Sequence, residues 1–267
     1  MRLYNLSMHN FDINNSEKIV IKIGSSLLTN SKGGLNRKLL KNLVADINWL
    51  LKKRKNVIVV SSGAISLGKG KLNIKNELTL NQSQAVAARG QIELMTAWKN
   101  QFKKHKKQVA QILLSPTDIK NKKSSQNAIA TIENLLNYKC VPIINENDTT
   151  STDEIRFGDN DILAAQIATL VEADYLILLS NVDGLYKKPP KNNTNDDLVI
   201  EVRSITKKIK EMAGAASKLG KGGMISKIKA AEICMKSKCP VIITSGLKDN
   251  PIKSLNNKKT KSTKFIV

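Results

Sequence analysis

Short runs of apolar, mostly β-branched residues alternate along the chain with longer segments whose apolar residues recur at helical spacing. The short runs predict buried strands and the longer segments predict amphipathic helices. Strands that alternate with helices are typical of an α/β fold with a mainly parallel sheet. The predicted strands are residues 18–23, 57–60, 109–114, 141–144, 175–179 and 241–244, with a short terminal strand at 265–267. The predicted helices are residues 39–51, 83–102, 124–136, 162–171 and 205–218, and a helix from about Met224.

Small residues follow several of these strands. Residues 24–26 end the first strand with Gly-Ser-Ser, and residues 61–64 and 245–246 repeat the pattern. Backbone N–H groups at such strand-to-helix turns can face an anion. Lys22, inside the first strand, can place its ammonium group at the same anion, and a lysine on an edge strand that reaches solvent is the alternative.

A second glycine-rich turn lies near the carboxyl end of the chain. Glycines at positions 220, 222 and 223 precede the helix from about Met224, and Lys227 lies one turn into that helix. Glycines and a lysine at a helix N-terminus are typical of a phosphate site. The spacing is not that of a P-loop, because the lysine lies four residues after the last glycine.

Residues 144–161 concentrate carboxylates at the exit of a predicted strand, in a chain whose formal net charge is +22. Such a loop is costly unless a cation or a hydrogen-bonding partner meets it. In open α/β sheets, ligands lie outside the carboxyl ends of the strands. We therefore expect a functional loop, with a solvated acidic loop, or helix capping by one residue of 159–161, as the alternatives. Its charged residues are Glu146, Asp148, Asp153, Glu154, Asp159, Asp161 and Arg156.

The positive charge permits binding to phosphates, RNA or anionic lipid, but the lysines are spread along the chain and accompany many asparagines. This indicates a general composition. Aromatic residues make up 4%, which argues against stacking on single-stranded nucleic acid. The three cysteines show no CxxC spacing, and no apolar run reaches the ~18 residues of a membrane span. We expect a cytoplasmic protein with no nucleic-acid partner, no membrane partner and no metal site. Residues 1–17 are expected to form a flexible leader that precedes the folded domain.

Together these segments resemble the amino acid kinase family, whose motifs occur here in the family's order from residue 18 onwards. INEND followed closely by FGDND favours the members that phosphorylate glutamate. The matching stretches are VIKIGSSLLT (20–29), VVSSGAISLG (59–68), QAVAARGQ (84–91), PIINENDTTSTDEIRFGDND (142–161), DGLY (183–186) and GKGGMISKIKAA (220–231).

The resemblance implies a three-layer αβα sandwich with a mainly parallel central sheet, formed by residues 18–267 as a single domain. The part at about 18–170 would bind glutamate, and the part at about 171–267 would bind ATP. Two departures stand out. Many members carry a further carboxy-terminal PUA domain, which we expect to be absent here, and a position that is often aspartate in the family is Asn181.

The implied reaction transfers the γ-phosphoryl group of ATP to the side-chain carboxylate of L-glutamate, which opens proline synthesis. That carboxylate has a reference pKa of about 4.3, so it needs no general base. Mg²⁺ is expected on phosphate oxygens and waters. The family also implies a homodimer or homotetramer and proline as a feedback inhibitor.

The resemblance implies these roles for individual residues. Lysines from both ends of the chain would neutralise the phosphoryl group, and Gly24 and Gly63 would admit backbone amides to the same oxygens. Asp148 would bind the ammonium group of glutamate. Ser62, Asn160 and the amide of Asn145 would bind the carboxylates of glutamate. The catalytic residues are Lys22, Lys227, Asp161 and Asp159; the substrate residues are Ser62, Asp148, Asn160 and Asn145. The ATP residues are Lys22, Gly24, Ser180, Asn181, Lys221, Gly222, Gly223, Met224, Ile225, Ser226 and Lys227.

Three alternatives stay open at this point. The acceptor could be that of a uridylate, acetylglutamate or aspartate kinase, with the same phosphate machinery. A non-catalytic sensor of nucleotide or amino acid is a second, although the retention of Lys22, Asp161 and Lys227 argues against it. An RNA-binding protein is a third, suggested only by the net charge.

Overall fold

The computed structural model describes residues 11–30, 33–150, 160–188, 197–214 and 223–267. These residues form an eight-stranded sheet in the order β3-β4-β2-β1-β5-β7-β8-β6. The neighbouring strands pair in parallel except for β7 and β8, which are antiparallel. The strands are β1 (Lys18–Ile23), β2 (Asn56–Ser61), β3 (Gln108–Leu114), β4 (Cys140–Glu146), β5 (Tyr175–Ser180), β6 (Glu201–Val202), β7 (Val241–Ser245) and β8 (Ser262–Phe265).

The helices include those predicted and several short ones that the sequence pattern did not indicate. The helix predicted at residues 205–218 is shorter than expected and ends at Met212. No helix among the described residues is long and apolar enough to cross a lipid bilayer. The helices are α1 (Ser25–Leu28), α2 (Arg37–Lys52), α3 (Ala64–Lys71), α4 (Leu80–Lys103), α5 (Pro116–Lys120), α6 (Lys122–Asn137), α7 (Asn160–Leu170), α8 (Lys207–Met212), α9 (Met224–Lys236) and α10 (Pro251–Asn256).

The central strand β1 shows how the two faces of the sheet are covered. Ile19, Ile21 and Ile23 belong to one buried cluster, which α2, α4 and α10 complete. Val20, on the opposite face, belongs to a second cluster that includes residues of α6, α7 and α9. Strands that are buried on both faces read as continuous apolar runs, as observed here. The three-layer αβα sandwich is thus confirmed.

The strand order reverses at β1, and this reversal positions the site. The chain runs from β1 to β2 on one side, and after β4 it crosses to β5 on the other side. Ligands of open α/β sheets lie in the crevice at such a reversal, outside the carboxyl ends of the strands. The carboxyl ends of β1, β2, β4 and β5 therefore define where the site should lie.

Residues 11–17 pack against the domain, in contrast to the flexible leader expected for residues 1–17. Phe11 and Ile13 are buried, and the Phe11 ring meets the Tyr175 ring edge-on with centroids 5.1 Å apart. The physical reason is apolar burial, because both side chains belong to the buried cluster beneath α2. The sequence did not indicate this burial, since the residues around Phe11 and Ile13 are mostly polar. Residues 1–10 lie outside the described ranges.

A buried carboxylate on α2 holds the start of α10. Asp46 is 1% exposed, and its Oδ2 atom accepts hydrogen bonds from the backbone N–H groups of Ile252 at 2.6 Å and Lys253 at 3.3 Å. Burial raises the pKa of Asp46 to about 6, although these backbone hydrogen bonds oppose the rise. The carboxyl group of Asp46 therefore binds a proton more tightly in the folded protein than in the unfolded chain.

We expect protonation of Asp46 to stabilise the fold. Because the folded-state pKa of about 6 lies above the ordinary value of 3.8, this stabilisation is complete below the ordinary value and is lost as the pH rises through the folded-state value. The pKa difference corresponds to about 3 kcal/mol in the free energy of unfolding. Asp46→Asn should remove this dependence, as measured by urea unfolding at about pH 4 and about pH 7.

The substitution Asp249→Asn, at an exposed carboxylate, is the matched control and should keep the wild-type dependence. Equal pH dependence of the wild type and of Asp46→Asn would contradict the role given to Asp46.

Candidate active site

The alternation of side chains along β1 directs Lys22 towards the site. Lys22 shares the face of Val20, which is the face that α7 and α9 cover. It lies at the carboxyl end of the central strand and is 4% exposed. An edge-strand lysine that reaches solvent is therefore excluded, because β1 pairs with β2 on one side and β5 on the other.

Three charged side chains from distant parts of the chain meet on this face. Lys22 Nζ lies 2.5 Å from Asp161 Oδ1, and Lys227 Nζ lies 2.9 Å from Asp161 Oδ2. Lys227 is 7% exposed and Asp161 is fully buried. The carboxylate in the first turn of α7 thus holds a lysine from β1 and a lysine from α9 in one cluster.

Electrostatics keep Asp161 ionised. Burial raises the pKa of Asp161, but the charges of Lys22 and Lys227 outweigh this effect and hold the pKa well below its usual range. The three side chains together bring two positive charges and one negative charge into a buried position. Such an arrangement suits an anionic ligand.

The N-terminus of α9 adds backbone donors beside this cluster. Gly223 precedes the helix with a φ of 135°, and no atom of a described residue lies within 4 Å of the place where a Cβ would stand. Ser226 Oγ lies 2.9 Å from Asp161 Oδ2, which ties the first turn of α9 to α7. Met224 and Ile225 complete that turn, whereas Lys221 and Gly222 lie outside the described residues.

A cleft with a volume of about 1260 Å³ opens on the β4 and β2 side of this cluster. The four residues predicted to bind the substrate, Ser62, Asp148, Asn160 and Asn145, all line it. The remainder of its lining comes mostly from α3 and the segment that leads to α4, for which the sequence predicted no role.

A chain of side-chain amides forms part of this cleft. Asn160 Nδ2 donates to the backbone oxygen of Ser61 and to Asn145 Oδ1, both at 2.7 Å. Asn145 Nδ2 donates to Gln91 Oε1 at 2.8 Å, and the backbone N–H of Glu146 donates to Asn145 Oδ1 at 2.9 Å. We call Gln91, Asn145 and Asn160 the amide relay.

Two backbone groups determine which way the amides point. The Glu146 N–H can only donate, so the atom that it meets on Asn145 is the oxygen. The Ser61 carbonyl can only accept, so the atom that it meets on Asn160 is the nitrogen. Both N–H bonds of Asn160 are then used, which leaves its Oδ1 atom as an acceptor for a ligand. Asn145 donates one of its two side-chain N–H bonds to Gln91, and the other is left for a ligand.

The helices α3 and α4 are packed backbone to backbone behind the cleft. A Cβ at Gly90 would lie 1.8 Å from the carbonyl oxygen of Ala64, and one at Gly68 would lie 2.0 Å from the oxygen of Val86. Close packing against α3 thus explains why α4 carries a glycine at position 90 in its interior. Gly63 caps α3 with a φ of 111° and lines the cleft, so the position of α3 sets this wall of the site.

The predicted nucleotide residues lie at the carboxyl end of β5, on the other side of β1. Ser180 is 7% exposed, and its hydroxyl lies 3.3 Å from Asn181 Oδ1. Neither residue lines the cleft. Gly24, at the end of β1, donates its backbone N–H to Leu179 at 3.3 Å and so joins the two strand ends.

The structure brings together most, but not all, of the predicted site. Lys22, Asp161 and Lys227 form one cluster, and the substrate residues form the neighbouring cleft. Asp159, Lys221 and Gly222 lie outside the described residues, as does most of the segment between the two acidic motifs. Among residues 11–30, 33–150, 160–188, 197–214 and 223–267, no group of at least three His, Cys, Asp or Glu side chains could hold a metal ion.

Sequence reasoning missed the supporting residues. Gln91 belongs to a matching motif, yet its helical spacing alone does not distinguish a surface glutamine from one that binds Asn145. Trp98, which donates from Nε1 to Ser61 Oγ at 3.0 Å, reads as an ordinary core aromatic residue. The spacing of the two residues could have indicated their shared role. Positions 91 and 98 are two helical turns apart and therefore lie on the same face of α4.

Comparison with known proteins identifies the family to which the chain belongs. Residues 17–245 match the model of the amino acid kinase family. The chain is 47% identical over 256 residues to a glutamate 5-kinase of Pelagibacter ubique, covering 95% of this chain and 69% of the relative. It is 43% identical over 244 residues to a glutamate 5-kinase of Paramagnetospirillum magneticum, covering 91% and 66%. A Rhizobium etli glutamate 5-kinase is 48% identical over 242 residues, covering 90% and 62%. The chain thus spans between 62% and 69% of the length of these curated relatives.

Solved structures show the same fold at low identity. A UMP kinase from Ureaplasma parvum matches with a TM-score of 0.66 and 20% identity, covering 94% of this chain and 99% of that one. An isopentenyl phosphate kinase matches with a TM-score of 0.65 and 15% identity, covering 93% and 100%. These similarities support the sandwich architecture alone.

Proposed function

Because the chain belongs to the amino acid kinase family, and within it to the glutamate 5-kinases, we propose that it transfers the γ-phosphoryl group of ATP to the side-chain carboxylate of L-glutamate. The product is L-glutamyl 5-phosphate, the first intermediate of proline synthesis. The observation that carries the proposal is the cluster in which Asp161 holds Lys22 and Lys227 at 2.5 and 2.9 Å.

The two lysines would act on the phosphoryl group in transit. The glutamate carboxylate is ionised at neutral pH and attacks the γ-phosphorus directly, while the bond from this phosphorus to the oxygen of ADP breaks. Lys22 and Lys227 would bind the phosphoryl oxygens and offset the repulsion between two anions. Asp161 would keep both ammonium groups in place before the substrates arrive, which is the preorganisation that electrostatic catalysis requires.

The cleft residues support recognition of the amino-acid end of glutamate. Asp148 lines the cleft and would pair with the ammonium group. Asn160 presents Oδ1, because both of its N–H bonds are used within the protein, so we assign it to the ammonium group and not to a carboxylate as expected from sequence. Ser62 and the remaining N–H of Asn145 are left for the carboxylates.

ATP would bind on the other side of β1, beside Ser180, Asn181 and the N-terminus of α9. The positions of these elements support the division into a glutamate part at about 18–170 and an ATP part at about 171–267. We propose MgATP as the co-substrate, with Mg²⁺ held by phosphate oxygens and waters. Both oxygens of Asp161 face lysines, so this carboxylate would not be a metal ligand.

The test of the proposed function is glutamate-dependent release of ADP by the purified chain. Activity should appear with L-glutamate and remain at background with aspartate, N-acetylglutamate or UMP. Turnover with UMP or N-acetylglutamate in place of glutamate would overturn the assignment of the acceptor. The same assay with added proline tests feedback inhibition, which stays a prediction from the family, as do a cytoplasmic location and a homodimeric or homotetrameric state.

Replacement of Asp148 by asparagine should weaken glutamate binding selectively. The substitution keeps the shape of the side chain but removes the charge that pairs with the ammonium group. We expect the apparent KM for glutamate to rise about 10- to 100-fold, because hydrogen bonds to charged groups contribute about 1.5–3 kcal/mol. The KM for ATP should stay within about twofold of the wild type, since this effect is confined to the other substrate.

Steady-state kinetics with each substrate varied in turn measures both constants. The exposed carboxylate of Glu211 on α8, replaced by glutamine, is the control and should change neither. Equal increases in the two KM values would contradict the role of Asp148.

A further inference from the structure

We propose that Gln91 is a positioning residue for the amino-acid substrate. Gln91 lies on α4, and its side chain would hold the Asn145 amide in the orientation that the Glu146 N–H selects, so that Asn145 and Asn160 keep presenting the same atoms to the cleft. This inference rests on the proposed function, because the ligand in question is the α-amino-acid end of glutamate. No contact between Gln91 and the substrate is required.

The argument begins with the hydrogen bond from Asn145 to Gln91. Asn145 Nδ2 donates to Gln91 Oε1 at 2.8 Å, while Asn145 Oδ1 accepts from the Glu146 N–H at 2.9 Å and from Asn160 Nδ2 at 2.7 Å. The amide of Asn145 is therefore held from both ends. Gln91 supplies the acceptor on the nitrogen side.

The amide relay then sets the polarity of the cleft. Because Asn145 Oδ1 is directed at Asn160, Asn160 must offer its nitrogen there, and its oxygen is left for the ligand. A rotation of the Asn145 amide would place a nitrogen opposite both the Glu146 N–H and Asn160 Nδ2. It would also turn an oxygen towards the position proposed for the substrate carboxylate. Gln91 opposes this rotation, because its Oε1 accepts only from the nitrogen.

The position of α4 makes Gln91 suitable for this role. The capping box of Thr79 and Gln82 defines where α4 begins, and Gly90 contacts the backbone of α3. Trp98, two turns further along the same face, donates to Ser61 Oγ. The helix thus reaches the carboxyl ends of both β2 and β4, and Gln91 is the residue that reaches β4.

A second observation separates this role from a purely structural one. Gln91 Nε2 is buried, and no described residue accepts a hydrogen bond from it. A buried amide whose N–H group lacks an acceptor contributes little to the stability of the fold, because it has lost its hydrogen bonds to water. What Gln91 supplies is the acceptor at Oε1.

The test replaces Gln91 by methionine, which keeps the length and volume of the side chain and removes both polar atoms. We expect the KM for glutamate to rise about tenfold, which corresponds to about 1.4 kcal/mol. The kcat and the KM for ATP should stay within about twofold of the wild type, because the lysine cluster is untouched. The melting temperature should stay within about 3 °C, since one unsatisfied amide donor is removed as another is created.

Gln101→Met is the matched control on the same helix, since Gln101 takes no part in the hydrogen bonds that join the amide relay, and it should leave all constants unchanged. If the wild type does not phosphorylate glutamate, the proposed function fails. If the wild type is active and Gln91→Met has an unchanged KM for glutamate, the present inference fails. It also fails if the variant has a lower kcat together with higher KM values for both substrates, or does not fold, because Gln91 would then have a structural role.

Discussion

Replacement of Lys227 by methionine should lower kcat by about 10²–10³-fold, the usual effect of removing one preorganised donor from a developing anion. Methionine keeps most of the aliphatic length of the buried stem, while the ammonium group that lies 2.9 Å from Asp161 is lost. Asp161 retains Lys22 and Ser226 as neighbours, so the domain should still fold. The measurement is kcat in the ADP-release assay, with circular dichroism and thermal unfolding to check the fold.

Lys229→Met is the control for this substitution. Lys229 lies two residues further along α9 and is exposed, so its loss removes a charge from the same helix without touching the cluster. Its kcat should stay within about twofold, since exposed substitutions away from such features have small effects. A Lys227→Met enzyme with a kcat close to that of the wild type would remove Lys227 from the mechanism.

Replacement of Gly90 by alanine should destabilise the protein by at least about 2 kcal/mol, even though alanine is the better helix former by about 1 kcal/mol. The added Cβ would lie 1.8 Å from the Ala64 carbonyl oxygen and 2.6 Å from the Gly68 nitrogen. Both are backbone atoms, so α3 and α4 must separate. We expect a lower free energy of unfolding in urea and a higher KM for glutamate, because α3 carries Gly63 and Ala64 into the cleft wall.

Ala88→Ser enlarges an exposed residue on the same helix by one atom and should be nearly neutral. Unfolding curves for the wild type and both variants give the comparison directly. An unchanged stability of Gly90→Ala would show that the two helices can move apart freely, and the link between α4 and the cleft would then be lost.

The acidic segment that follows β4 belongs in a site for an anionic substrate because its parts have different roles. Asp148 lines the cleft, where an ammonium group would bind. Asp161 faces two lysines and not the cleft. A metal cage is not needed to explain either carboxylate.

Much of the fold could be predicted from the sequence. The six longer strands and five of the predicted helices lie close to their expected positions, because apolar periodicity reports directly on burial. The short helices α1, α3, α5 and α10 were missed, since a helix of one or two turns has too few residues to show a period. Phe11 and Ile13 were missed because isolated apolar residues in a polar segment carry no pattern.

The site could be predicted in part. Lys22 and Lys227 were proposed from their positions beside glycine turns, and the resemblance to a known family supplied the choice of Asp161. The amide relay could not be predicted, because a hydrogen bond from Asn145 to Gln91 joins residues 54 positions apart. Nothing in the local sequence indicates which end of an amide faces a ligand.

The sequence by itself determined the family, the parallel sheet and the residue types available to the site, because motifs and periodicity are local properties of the chain. Only the tertiary structure decided that one buried carboxylate holds two lysines and that Asn160 offers an oxygen to the cleft. These facts depend on charges and hydrogen-bonding groups from β1, β2, β4, α4, α7 and α9 meeting at one edge of the sheet. A buried charge or amide takes its properties from its neighbours in space, and the order of strands at β1 determines those neighbours.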